Sequence, residues 1–145
     1  MSEGFVADAS VGVAWAVHSQ SIEATAQLLD EVASGRPFVV PVLWMFEVAN
    51  GLLALTRRKR IDALQCARAR LALNRLTPAV DDEAARFALT RVSELADKYR
   101  LSVYDAAYLE LAQRRGVPLA SRDTELNKAA KLMGVRTLLW QSRGL

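Results

Sequence analysis

Phe5-Val6-Ala7-Asp8-Ala9-Ser10-Val11-Gly12-Val13-Ala14-Trp15-Ala16-Val17 is apolar throughout except at Asp8 and Ser10. Two readings compete for this stretch. A secretory leader needs a basic residue ahead of its apolar run. Here Glu3 stands ahead of the run and Asp8 interrupts it, so the leader reading fails. As structure, Phe5-Val6-Ala7 is a short β-strand that stops at an acid, and Asp8 or Ser10 caps the helix that follows.

The same alternation continues outward. Ile22, Thr25, Leu29 and Val32 recur at helical spacing until Gly35, and Phe38-Val39-Val40 is a second strand closed by Pro41. Leu43 to Leu55 reads as a helix that is apolar nearly all round, which predicts burial. Arg57–Arg60 turns the chain into a helix over roughly Asp62 to Asn74, and Leu76 with its neighbours suggests a short strand before Pro78. Asp81 or Asp82 caps a long helix carrying Ala85, Ala88, Val92, Leu95 and Tyr99 at 3.6-residue spacing. Ser102 to Arg115 is a helix ended by Gly116, and Val117 to Ala120 is a strand. Glu125 to Met133 is a helix ended by Gly134, and Arg136 to Trp140 is a last strand. Strands joined through single helices require crossover connections, hence an α/β fold with a parallel sheet covered on both faces. Ligands bind such sheets beyond the carboxyl ends of the strands, where both Asp8 and Asp123 fall.

Composition narrows the classes. With 145 residues, 52% hydrophobic and 24% charged, the chain reads as one globular domain over residues 1–145, without linker, repeat or low-complexity tract. Its single cysteine, Cys66, excludes an internal disulfide framework and reads as a packing residue. The apolar run from Val42 to Leu55 is shorter than the ~20 residues a membrane span needs and contains Glu47 and Asn50. No membrane span is expected, and the cytoplasm is the expected compartment. The net charge of +3 is a mild indication of anionic partners. Its distribution says more: Arg57, Arg58, Lys59 and Arg60 run together, and Arg68, Arg70 and Arg75 follow, with Asp62 as the one acid among them. This basic turn is the candidate for phosphate contact, against the alternative of a solvated connecting loop. No aromatic residue falls among these side chains, so a base-stacking platform is not expected there.

Three carboxylates stand among apolar neighbours: Asp8, Glu47 in Trp44-Met45-Phe46-Glu47-Val48-Ala49, and Asp105 in Val103-Tyr104-Asp105-Ala106-Ala107-Tyr108. Asp123 follows the strand ending at Ala120. An ionised carboxylate in apolar surroundings is costly unless it is paired, hydrogen-bonded or metal-bound. Capping accounts for Asp8, Asp105 and Asp123 individually, since Ser102-Val103-Tyr104-Asp105 matches a capping box. Glu47 lies mid-helix, and its structural alternative is a buried ion pair with an arginine such as Arg122. Taken jointly, clustered carboxylates repel unless a cation joins them. His18 and Cys66 are the only zinc-type ligands of their kinds, so an all-oxygen site favours Mg²⁺ or Mn²⁺. His18 reads as a solvent-facing helix end rather than part of a Ser-His-Asp triad, and the scattered glycines form no phosphate loop.

These residues resemble a known family. Val6-Ala7-Asp8-Ala9-Ser10, Glu47-Val48-Ala49-Asn50, Ser102-Val103-Tyr104-Asp105-Ala106-Ala107-Tyr108-Leu109 and Leu119-Ala120-Ser121-Arg122-Asp123 resemble the four motifs of PIN domains. Their order and spacing are similar to VapC-type toxins of bacterial toxin–antitoxin pairs. The resemblance implies a parallel α/β/α sandwich in which Asp8 and Asp105 are direct metal ligands. Glu47 and Asp123 would ligate directly or through water, and Ser10, Asn50 and Ser121 would position phosphate or support the ligands. It further implies metal-dependent RNA cleavage, a VapB-type antitoxin partner and a homodimer. Two alternatives remain open: a non-catalytic interaction domain on the same fold, and another Mg²⁺-dependent phosphoryl hydrolase such as a phosphatase. Ser10 stands where phosphatases of that kind often carry a second aspartate.

Overall fold

The computed structural model describes residues 3–139. Four short strands, β1 (Phe5–Ala7), β2 (Phe38–Pro41), β3 (Ala79–Asp81) and β4 (Leu119–Ala120), form one sheet in the order β3-β2-β1-β4. Every pairing is parallel: Phe5 lies opposite Phe38, Val6 opposite Leu119, and Val40 opposite Val80. Seven helices flank the sheet: α1 (Ala9–Ala16), α2 (Glu23–Ala33), α3 (Leu43–Arg57), α4 (Ala63–Asn74), α5 (Ser93–Tyr99), α6 (Val103–Arg115) and α7 (Thr124–Leu132). The expected α/β/α arrangement is therefore present. The chain steps from β1 out to β2 and β3, then returns to add β4 on the other side of β1. Where strand order reverses, the crossovers diverge and leave a crevice at the carboxyl ends of β1 and β4.

Central position explains the uniformly apolar β1, whose three residues are all fully buried. Phe5 stacks on Phe38 at 5.9 Å, Trp15 meets Phe38 edge-on at 5.3 Å, and Trp44 meets it at 6.0 Å. Trp44 is buried and its indole N–H donates to the Asp8 carbonyl at 3.0 Å. Helices α1 and α3 touch so closely that a Cβ on Gly12 would lie 2.7 Å from the Trp44 ring. Glycine is required there by space.

Several expectations are corrected. Helix α3 is not buried all round: Trp44, Val48 and Leu52 face the core, whereas Met45 and Phe46 are 46% and 74% exposed. The third strand follows Pro78 instead of preceding it, because it must reach the register that pairs Val39 with Ala79. The long helix expected after Asp81 is broken into a 3-10 turn (Ala84–Phe87), a π turn (Ala88–Val92) and α5. The Ser93 hydroxyl donates to the Ala88 carbonyl at 2.6 Å at that junction. On α2 Thr25 and Leu28 are buried and Val32 packs against the core, so Leu28 takes the place expected for Leu29, while Ile22, before the helix, is 41% exposed. The last strand reduces to one parallel bridge between Thr137 and Leu119, and Trp140 lies outside the described residues. Cys66 is buried and His18 exposed, both as expected.

Candidate active site

Asp8 ends β1 and caps α1. One carboxylate oxygen accepts from the Ser10 hydroxyl at 2.6 Å and the Val11 N–H at 3.2 Å, and the other accepts from the Ser121 hydroxyl. The side chain is therefore bracketed by Ser10 from α1 and by Ser121 from the loop after β4. Ser121 is itself fully buried and accepts the Asp123 N–H at 2.9 Å, while Ser10 accepts the Arg122 N–H at 2.9 Å. Despite three hydrogen bonds favouring its charged form, burial pushes the Asp8 carboxyl up to about 6, and the nearby Asp105 charge pushes the same way.

Asp105 sits in the first turn of α6, where Ser102 caps the helix by accepting the Asp105 N–H at 3.0 Å. Its carboxyl is raised by burial and by the Asp123 charge. Glu47, on α3, accepts the Tyr108 hydroxyl at 2.6 Å and is raised by burial and by Asp105. Asp123 caps α7, accepting the Leu126 N–H at 2.9 Å. Asp8 and Asp123 cap helices, and charges also act between the acids, Asp105 raising Asp8 and Asp123 raising Asp105. The Glu47–Arg122 ion pair is not formed. Arg122 donates to the Gln20 carbonyl instead. Among the described residues none of these four acids has an ion-pair partner. Nor, among them, is any group of three acids, His or Cys arranged to hold one metal ion.

The basic turn is divided by the fold. Arg58 lines an open groove of about 300 Å³ together with Ser10, Glu47, Gln20 and Arg122. Lys59 and Arg60 line a separate depression with Asp62 and Gln65. Lys59 takes a left-handed backbone (φ 59°), and the Arg60 N–H closes the helix end on Leu55. Asn50 is exposed on α3 and makes no hydrogen bond with the acids.

Two contributors escaped the sequence. Tyr108 is buried and holds Glu47, and it lies one helical turn after Asp105 on the same face of α6. Asn127 is buried on α7 and donates to the Ser121 carbonyl at 2.9 Å, while its own carbonyl oxygen has no protein partner. A second acidic cluster also went unforeseen. Asp81 and Glu110, both buried, share Arg114, which reaches Asp81 at 2.9 Å and Glu110 at 2.7 Å. Arg115 adds a contact to Asp81 at 3.2 Å and Arg114 reaches Glu83 at 3.2 Å. The Arg114 guanidinium holds the Asp81 carboxyl down at about 2.

A model of the PIN domain family matches residues 5–132. Among solved structures, PAE2754 from Pyrobaculum aerophilum superposes with a TM-score of 0.65 at 23% identity, over 95% of this chain and 92% of that one. A chain of a toxin–antitoxin complex from Klebsiella pneumoniae gives 0.61 at 21% identity, over 94% and 98%. A chain of VapBC2 from Rickettsia felis, bound to a DNA fragment from their promoter, gives 0.64 at 13% identity, over 95% and 99%. At these identities the likeness is one of fold. No curated protein matches the sequence.

Proposed function

The chain belongs to the PIN domain family, and we propose that it is a metal-dependent endoribonuclease, the toxin of a toxin–antitoxin pair. One observation carries this reading: Asp105 acts electrostatically on Asp8 and Glu47 and feels Asp123, among the described residues none of the four has an ion-pair partner, and the carboxyls of Asp8, Glu47 and Asp105 are all raised, by burial and by a neighbouring acid. Carboxylates that raise one another's proton affinity form a site that gains by binding a divalent cation.

The residues fit such an ion through their chemistry, an all-oxygen donor set suited to Mg²⁺ or Mn²⁺. Asp8, Glu47, Asp105 and Asp123 would hold it, and when bound it supplies an acidified water and charge neutralisation at the phosphate. The chain's own residues do the rest. Ser10 and Ser121 fix both oxygens of Asp8, so the central ligand is immobile before any ion arrives. Tyr108 leaves one Glu47 oxygen engaged and aims the other. Asn127 clamps the Ser121 backbone.

This chemistry does not use the ribose 2′-hydroxyl, so RNA as substrate rests on the family resemblance. The antitoxin rests on that resemblance and on relatives of the same fold solved as toxin–antitoxin complexes. The homodimer is supported by an apolar surface in which Val42, Phe46, Leu89, Val103 and Tyr104 are each at least 44% exposed. Among the described residues no helix is long and apolar enough to cross a membrane, and we place the activity in the cytoplasm.

The test is cleavage of a mixed RNA pool by the purified chain after exhaustive chelation and after return of Mg²⁺ or Mn²⁺. Cleavage only on return of metal, lost in Asp105→Asn, is expected. Undiminished cleavage by metal-free protein would remove the site from the chemistry.

A further inference from the structure

The groove lined by Glu47 carries two arginines, Arg58 and Arg122, that have no ion-pair partner among the described residues. Arg36, Arg86, Arg114, Arg115 and Arg136 are ion-paired. Arg58, by contrast, makes no side-chain hydrogen bond or ion pair among the described residues, and the Arg122 guanidinium bonds only the neutral Gln20 carbonyl. Both line the same groove, Arg58 at the end of α3 and Arg122 in the loop after β4, and Glu47 and Ser10 line it with them, Ser10 accepting the Arg122 N–H at 2.9 Å. Its floor is small and aliphatic, with Ala9, Val13, Gly51 and Ala54, and no aromatic side chain lines it.

We propose that this groove is the track for the phosphodiester backbone next to the cleaved bond, with Arg58 and Arg122 each engaging a phosphate. The proposal rests on the nuclease reading of the adjoining acids. An anionic strand needs cationic anchor points at its phosphate repeat, and the groove supplies two of them beside Glu47. Arginine suits the task because its planar fork matches phosphate oxygens. The absence of aromatic lining makes the contact one of charge, so it reads backbone and not base. An acidic peptide would meet the same arginines, but it offers nothing to react at the carboxylate end. Lys59 and Arg60 face the other depression and do not take part.

The experiment measures binding of a fluorescein-labelled oligouridylate to the full chain carrying Asp105→Asn, by anisotropy across a salt series. Arg58→Ala and Arg122→Ala are each expected to reduce the slope of log affinity against log salt by about 0.7, the value for one phosphate on a single strand. Lys59→Ala and Arg60→Ala are expected to leave it unchanged. Equal losses for all four variants would overturn the proposal in favour of diffuse surface attraction. Unchanged slopes for Arg58→Ala and Arg122→Ala would overturn it directly. Tighter binding of oligoglutamate than of oligouridylate, lost in the two arginine variants, would assign the groove to an acidic peptide. Cleavage by the parent chain with Mn²⁺ is scored separately. Cleavage with unaltered slopes fails the groove alone, and altered slopes without cleavage fail the nuclease reading alone.

Discussion

Asp8 and Asp81 occupy equivalent places: each ends or follows a parallel strand, each is buried, and each accepts a backbone N–H from the turn that follows. Their electrostatic surroundings are opposite. Asp81 lies against two guanidinium groups and is held down at about 2, whereas Asp8 has only hydroxyl and amide donors and is pushed up to about 6. The same backbone position thus has its charge answered in one case and not in the other. The difference is whether the fold supplies a cation. Around Asp81 the chain provides two, Arg114 and Arg115 of α6. Around Asp8 it provides a further acid, Asp105, the arrangement on which the proposed metal site rests.

The largest test breaks the paired cluster. Arg114→Leu leaves Asp81 and Glu110 buried without their shared partner, and removing one partner of a buried pair costs about 3–5 kcal/mol. A fall of that size in urea-unfolding free energy is expected. A loss below about 1 kcal/mol would mean that Asp81 is not held by pairing, and the contrast with Asp8 would lapse.

Acid titration of the metal-free chain reads both aspartates at once, with opposite signs. The Asp81 carboxyl is depressed, so its contribution is full above the unfolded value near 4 and is lost as pH falls through about 2. The Asp8 carboxyl is raised, so the folded chain binds this proton more tightly than the unfolded one. Its penalty is absent below about 4, grows as pH rises through the window to about 6, and is constant above it. The stability of the metal-free chain is therefore expected to rise on acidification from pH 7 towards 4 and to fall below it. A shift of two units is worth on the order of 3 kcal/mol. Saturating Mg²⁺ should flatten the upper limb. A monotonic loss from neutrality downward would show that Asp8 is not destabilised by its charge.

The smallest effect on stability sharpens the comparison at Glu47. Glu47→Gln keeps the shape, retains an acceptor for Tyr108 and removes one of the mutually repelling charges. Its melting temperature is expected to change by no more than a few degrees, while the Mg²⁺ needed for cleavage rises at least tenfold. A large fall in melting temperature with an unaltered Mg²⁺ titration would make Glu47 a structural residue.

The parts of the fold legible in the sequence were those governed by local rules. Strands β1 and β2, the caps at Asp8, Ser102 and Asp123, and the left-handed Gly116 terminating α6 are all set within a few residues. Failures came where distant partners decide. Phe46 is apolar, yet the α3 face that meets the core is chosen by Trp44, whose indole seeks the Asp8 carbonyl 36 residues away. Asp81 read as the cap of a long helix; it ends β3 and, from the turn that follows, accepts only the Ala84 N–H, and its pairing depends on Arg114, 33 residues downstream. Three of the four candidate acids, Asp8, Glu47 and Asp105, stood out because each violates its apolar context, a violation visible locally, while Asp123 stood out by following a strand. Tyr108 and Asn127 violate nothing: a tyrosine and an asparagine on amphipathic helices pass unnoticed until the atoms they touch are known.

The hydroxyl of Ser121 meets Asp8 across 113 residues of chain. Asp8 is made more than a hundred residues before Ser121, Asp123 and α7, and β1 has no β4 beside it until then. During synthesis at roughly 5–20 residues per second, the growing chain therefore spends on the order of ten seconds with half of its crevice missing. On the proposed nuclease reading, assembly in this order keeps the growing chain without its complete set of acids while the ribosome and message are still beside it.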